Sequence, residues 1–81
     1  MKRAHGISLT ELNEKGKKLY EEKFKDKLEK KYLNKIIAIE VKSGKYFMGD
    51  SVIDAVKKAR KEFPYDIFYS VRVGSSAVYH L

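Results

Sequence analysis

From Leu9 onward, apolar side chains recur at three- and four-residue steps: Leu9, Leu12, Leu19, Tyr20, Phe24, Leu28 and Tyr32. That is the period of one helix face. Ser8-Leu9-Thr10-Glu11 stands ahead of the stripe and fits a capping box, the serine oxygen accepting from the third amide while the glutamate reaches back. The pattern predicts a helix over 8–31, preceded by a loose terminus over 1–7. Glu14–Lys18, Glu21–Lys25 and Asp26–Lys30 are acid-before-base pairs four apart, suited to support it. Gly16 costs it about 1 kcal/mol against alanine. A helix of about 24 residues would run about 36 Å, whereas a globule of this size has a radius of gyration of about 12 Å. The helix is therefore expected to project, to kink at Gly16, or to pack against a second copy.

Beyond it the period changes. Ile36-Ile37-Ala38-Ile39-Glu40-Val41 is β-branched and short, which predicts a strand. Lys42-Ser43-Gly44-Lys45 carries a turn signal, and Tyr46-Phe47-Met48 returns as a second strand ending at Gly49. With Ser43 and Gly44 as a two-residue loop, Val41 would face Tyr46 and Ile39 would face Met48. Asp50 or Ser51 caps a second helix whose stripe is Val52, Ala55, Val56, Ala59 and Phe63, and Pro64 stops it. Residues 67–73 form a third strand, Gly74-Ser75-Ser76 a turn, and residues 77–80 a fourth strand. The expected fold is α+β, in the order α-β-β-α-β-β. It is a single domain with a ββαββ core over 36–81 and a four-stranded mixed sheet, order 2-1-3-4, packed against two helices. A right-handed crossover would set strands two and three parallel.

Side chains alternate along a strand. Ile37, Ile39, Val41, Tyr46 and Met48 therefore share one sheet face, and the other carries Ile36, Ala38, Glu40, Phe47, Phe68, Ser70, Arg72 and Tyr79. If both helices cover the first face, the second stands in solvent as an apolar patch of the kind that marks an interface. Glu40 and Arg72 would then be cross-strand partners. The competing arrangement carries the first helix across to this second face, in a three-layer sandwich.

Composition adds a charge of +7, from 18 Lys and Arg against 11 Asp and Glu. The excess is concentrated in residues 1–35, with 11 basic and six acidic side chains. Such a half suits an anionic partner. Lys17, Lys18, Lys25, Lys27, Lys30 and Lys31 are the candidate contacts to nucleic acid; Arg3, Arg60 and Arg72 are the only arginines available to read base edges. The absence of cysteine excludes disulfides, thiolate zinc sites and a cysteine nucleophile. His5 and His80 have no metal-ligand spacing, Asp50 and Asp54 are explained by capping, and Ser75 and Ser76 by a turn. No catalytic, cofactor or metal residue is expected, and so no enzyme. No run approaches a membrane span and no hydrophobic stretch follows Met1-Lys2-Arg3, which makes the cytoplasm the expected location.

Gly44-Lys45-Tyr46-Phe47-Met48-Gly49-Asp50-Ser51, Ala55 with Lys58-Ala59-Arg60 and Phe63-Pro64, and Phe68-Tyr69 with Arg72-Val73-Gly74 together resemble a family of short uncharacterised prokaryotic proteins. The resemblance covers most of the chain, although members more often hold an acidic residue where this chain has Lys45. It implies no catalytic residue. It implies a small protein encoded beside another small gene, sometimes one resembling a retroviral-type aspartic protease, in a two-gene module of the toxin–antitoxin kind. The combined expectation is a non-enzymatic protein-binding or self-associating module whose partner is a second copy or a small co-encoded protein. The alternative is a nucleic-acid-binding protein using the lysine-rich half.

Overall fold

The structure is a computed structural model that describes residues 8–74 and the two-residue strand Val78–Tyr79. The expected loose terminus, His5, Ser75, Ser76 and His80 lie outside the described residues. The chain is α+β.

Ser8 caps the first helix, its hydroxyl accepting from Glu11 N–H at 3.2 Å while Glu11 Oε1 accepts from Ser8 N–H at 3.3 Å. The helix runs as α1 (Leu9–Leu19), a π turn (Tyr20–Phe24) and α2 (Lys25–Glu29). In the π turn Lys25 N–H reaches back five residues to Tyr20 O. The sequence shows why the turn is there. The side chains buried beneath this helix are Leu12, Gly16, Tyr20, Phe24 and Leu28, at every fourth position. An α-helix turns about 100° per residue, so four such steps would drift by about 160° around the axis. One inserted residue takes back about 100° of that drift and keeps all five over the sheet.

Strand β1 (Ile36–Glu40) is central, with β2 (Lys45–Gly49) on one side, β3 (Tyr69–Arg72) on the other and β4 (Val78–Tyr79) beyond β3. Every neighbouring pair is antiparallel. The expected mixed sheet is therefore corrected. The crossover through α3 (Val52–Glu62) does give β2 and β3 a common direction, but β1 separates them and runs opposite to both. The hairpin also differs. Ile39 faces Tyr46 and Ile37 faces Met48, so the loop has four residues, 41–44. The buried Glu40 carboxylate holds it by accepting from Ser43 N–H at 2.7 Å, and Gly44, at φ 78°, closes it. The shift from expectation is two residues, which leaves each side chain on its expected face.

Helices lie on both faces. Beneath the first helix, Leu12, Tyr20, Phe24 and Leu28 pack with Ile37, Ile39, Tyr69, Val71 and Val73. On the opposite face Ala55, Val56 and Ala59 of α3 pack on Ile36 and Ala38, with Phe47 and Phe68 at the margin. The first helix neither projects nor kinks at Gly16. One side of it is buried from Leu12 to Leu28 along a molecule 42 Å in its longest dimension.

The π turn also ties the helix to the end of β3. Tyr20 is 5% exposed, its hydroxyl donating to Glu29 Oε2 at 3.3 Å and accepting from Gly74 N–H at 3.1 Å. Burial, chiefly, raises the Tyr20 hydroxyl above the ordinary tyrosine pKa. Tyr20→Phe is expected to lower stability by about 1–2 kcal/mol, the worth of two lost hydrogen bonds, one of them to an amide that water can reach. Accelerated hydrogen exchange confined to the Gly74 amide would accompany it, and an unchanged Gly74 amide would contradict the contact.

Candidate anion-binding flank of the first helix

The expected open sheet face does not exist. Ile36, Ala38, Glu40 and Ser70 are each 2% exposed or less, and Phe47, Phe68 and Arg72 are half-buried. Of the eight residues of that expected interface, Tyr79 is placed by its backbone opposite Ser70. The covering element is the second helix, α3, rather than the first. Its small side chains Ala55 and Ala59 bring its backbone close to Ala38. The cross-strand pair of Glu40 and Arg72 is also corrected: Glu40 faces Lys45 and Arg72 faces Ile36, at opposite ends of β1. Arg72 donates to Asn34 O at 3.4 Å instead.

A cavity of about 120 Å³ is lined by Leu9, Leu12, Val56, Arg60, Phe68 and Ser70 among others. A more open groove of about 250 Å³ lies over Lys35, Met48, Asp50, Asp54 and Lys58. Its charges are already matched. Lys35 pairs with Asp50, Lys58 lies 3.6 Å from Asp54, and Lys58 Nζ donates to Met48 O at 2.8 Å. The ammonium of Lys35 holds the Asp50 carboxyl below the usual carboxylate range. Asp54 also accepts from Asp50 N–H at 3.2 Å, and Ser51 Oγ from Asp54 N–H at 3.1 Å, so the Asp54 carboxylate and the Ser51 hydroxyl serve the start of α3 while the Asp50 carboxylate serves Lys35. Among the described residues no three of His, Cys, Asp and Glu converge to hold a metal ion. No helix among them is long and apolar enough to cross a membrane.

The lysines of the first helix are in a different condition. Lys15, Lys17, Lys18, Lys23, Lys25, Lys27, Lys30 and Lys31 are all exposed. The ion pairs among the described residues join Lys35, Lys45 and Lys58 to Asp50, Glu62 and Asp54, all away from this helix. The expected pairs Glu14–Lys18, Glu21–Lys25 and Asp26–Lys30 do not close, in keeping with the small energy such exposed pairs carry.

The π turn sorts these lysines into rows. Because it keeps every fourth residue roughly aligned, the surface rows also step by four. Behind the neutral Asn13, Lys17, Glu21, Lys25 and Glu29 alternate in sign along one flank. Glu14, Lys18, Glu22, Asp26 and Lys30 run mixed along the back. On the remaining flank Lys15, Leu19, Lys23, Lys27 and Lys31 follow Glu11, whose carboxylate is engaged at the N-cap. The winding persists to that end, since Tyr32 N–H still reaches Leu28 O at 2.7 Å. Of the six candidate lysines from sequence, only Lys27 and Lys31 stand on this unmixed flank; Lys17 and Lys25 alternate with Glu21 and Glu29 in their row, and Lys18 and Lys30 lie on the back. Lys15 and Lys23 were missed. Four-residue spacing of both the core and the lysines was the available signal.

Comparison with known proteins returns no family model, no curated protein and no solved structure that matches this chain.

Proposed function

We propose that this chain is a small non-enzymatic module that binds nucleic acid through one lysine-bearing flank of its first helix. The supporting observation is that its eight exposed lysines make no ion pair among the described residues, while the charged groups of the groove over α3 are matched. Lysine without an intramolecular partner is a point charge free to displace counterions from phosphate. Docking of a protein through the sheet face loses its surface, because α3 covers it.

The test is fluorescence anisotropy with labelled duplex DNA, single-stranded DNA and RNA, across a salt series. Binding to at least one is expected to weaken steeply as salt rises, and log K against log salt is expected to be linear. Flat titrations on all three at about 50 mM salt would overturn the reading.

A further inference from the structure

We propose that the ligand is a nucleic-acid duplex, held by its phosphate backbone without regard to sequence, and that it lies along the flank formed by Lys15, Lys23, Lys27 and Lys31. This rests on the nucleic-acid reading above and names its site and its class of ligand.

Three observations carry it. The first is electrostatic. Lys23, Lys27 and Lys31 stand at successive steps of four, and like charges at that spacing destabilise a helix. Neither acid nor hydrogen-bond acceptor relieves them among the described residues. A row of negative charge laid against them would. The second is shape. From Lys15 to Lys31 the helix advances about 24 Å, rigidly held because the opposite side is buried from Leu12 to Leu28. A duplex carries about fourteen phosphates on its two strands over that length of axis, and those that face one side suffice for four lysines each to meet one. The third is what the flank lacks. No arginine lies between Ser8 and Lys35, so no guanidinium fork is there to read a base edge. A single-strand platform would need exposed rings for stacking. The sheet rings Phe47 and Phe68 pack against α3, and among the described residues of the first helix and its C-terminal turn the exposed ring is Tyr32, 39% exposed, next to Lys31 at the flank's far end.

The experiment compares two double variants of equal net charge on one probe, a labelled random-sequence DNA duplex of about 20 base pairs, long enough for the flank's whole span. Lys23→Gln with Lys27→Gln removes two charges from the flank; Lys18→Gln with Lys30→Gln removes two from the back. Circular dichroism checks that both keep the native helix content, as exposed side chains should. For the unaltered protein, four phosphate contacts give a log–log salt slope of about −3.6, or ~150-fold weaker binding between about 50 and about 200 mM salt. The flank variant is expected to bring the slope to about −1.8, and the back variant to leave it near −3.6. Equal slopes for the two variants would overturn the flank while leaving nucleic-acid binding in place. Tighter binding to a single strand of the same sequence would overturn the duplex. Absence of binding of the unaltered protein to this duplex would overturn the duplex and the flank, and absence on single-stranded DNA and RNA as well would overturn the parent reading.

Discussion

Gly16→Ala is expected to destabilise the protein by about 2 kcal/mol, the reverse of what helix propensity alone dictates. In a free helix the change would be favourable by about 1 kcal/mol. Here the helix rests on β3 through Gly16. A Cβ at that position would lie 2.5 Å from Tyr69 Cδ1 and closer still to Tyr69 Cβ and Cγ. Those atoms are the root of a side chain that is 4% exposed, so the ring cannot swing away. The helix must lift or the strand must yield, and overpacking of this kind costs about 1–3 kcal/mol, occasionally more. For a domain of this size the net loss corresponds to a melting temperature lower by roughly 10 °C. Thermal or denaturant unfolding of Gly16→Ala beside Lys18→Ala, on the exposed back, measures it. A Gly16→Ala protein as stable as the unaltered one would mean that helix and strand do not approach through this glycine.

The same residue illustrates what could be read from sequence. Gly16 looked like a weak point because propensity is a local quantity; its role is set by Tyr69, 53 positions away. Local signals fared well. The Ser8–Glu11 capping box, the cap at Ser51 and the hydrophobic stripe of α3 all depend on neighbours within four residues, and all three stand in the structure. The α+β class followed from the changes of period. What failed was the assignment of layers, although β1 held the clue. Ile36-Ile37-Ala38-Ile39 is apolar on both faces, the mark of a strand covered on both sides. Reading those four as an alternating strand with one wet face produced the interface that α3 in fact occupies. The hairpin register failed for another reason: the loop is fixed by the buried Glu40 carboxylate, and no turn propensity encodes that contact. The four-residue spacing of the lysines stood in the sequence, but without the π turn it does not assemble a flank, since ideal helix geometry spreads Lys15, Lys23, Lys27 and Lys31 over about 160° around the axis.

Deleting the exposed Glu22 from the π turn is expected to cost more stability than truncating Leu28 to alanine, although it removes no buried atom. Leu28 is 1% exposed, and a leucine-to-alanine change at such a site costs about 2–5 kcal/mol. That is a large part of the roughly 4–12 kcal/mol available to a chain of this length. Loss of one residue between Leu12 and Leu28 would convert the turn to α-helix and rotate the two ends relative to each other by about 100°. Either Phe24 and Leu28 or Leu12 and Gly16 must then leave the sheet, exposing two contact positions where Leu28→Ala empties one. Denaturant unfolding of both variants, with near-ultraviolet circular dichroism to follow the tyrosines, orders the two losses. Native-like stability in the deletion variant would show that no inserted residue is needed to keep the buried row in line. It would also dissolve the alignment of Lys15 with Lys23, Lys27 and Lys31, because the core and the basic flank depend on the same extra residue in one turn of helix.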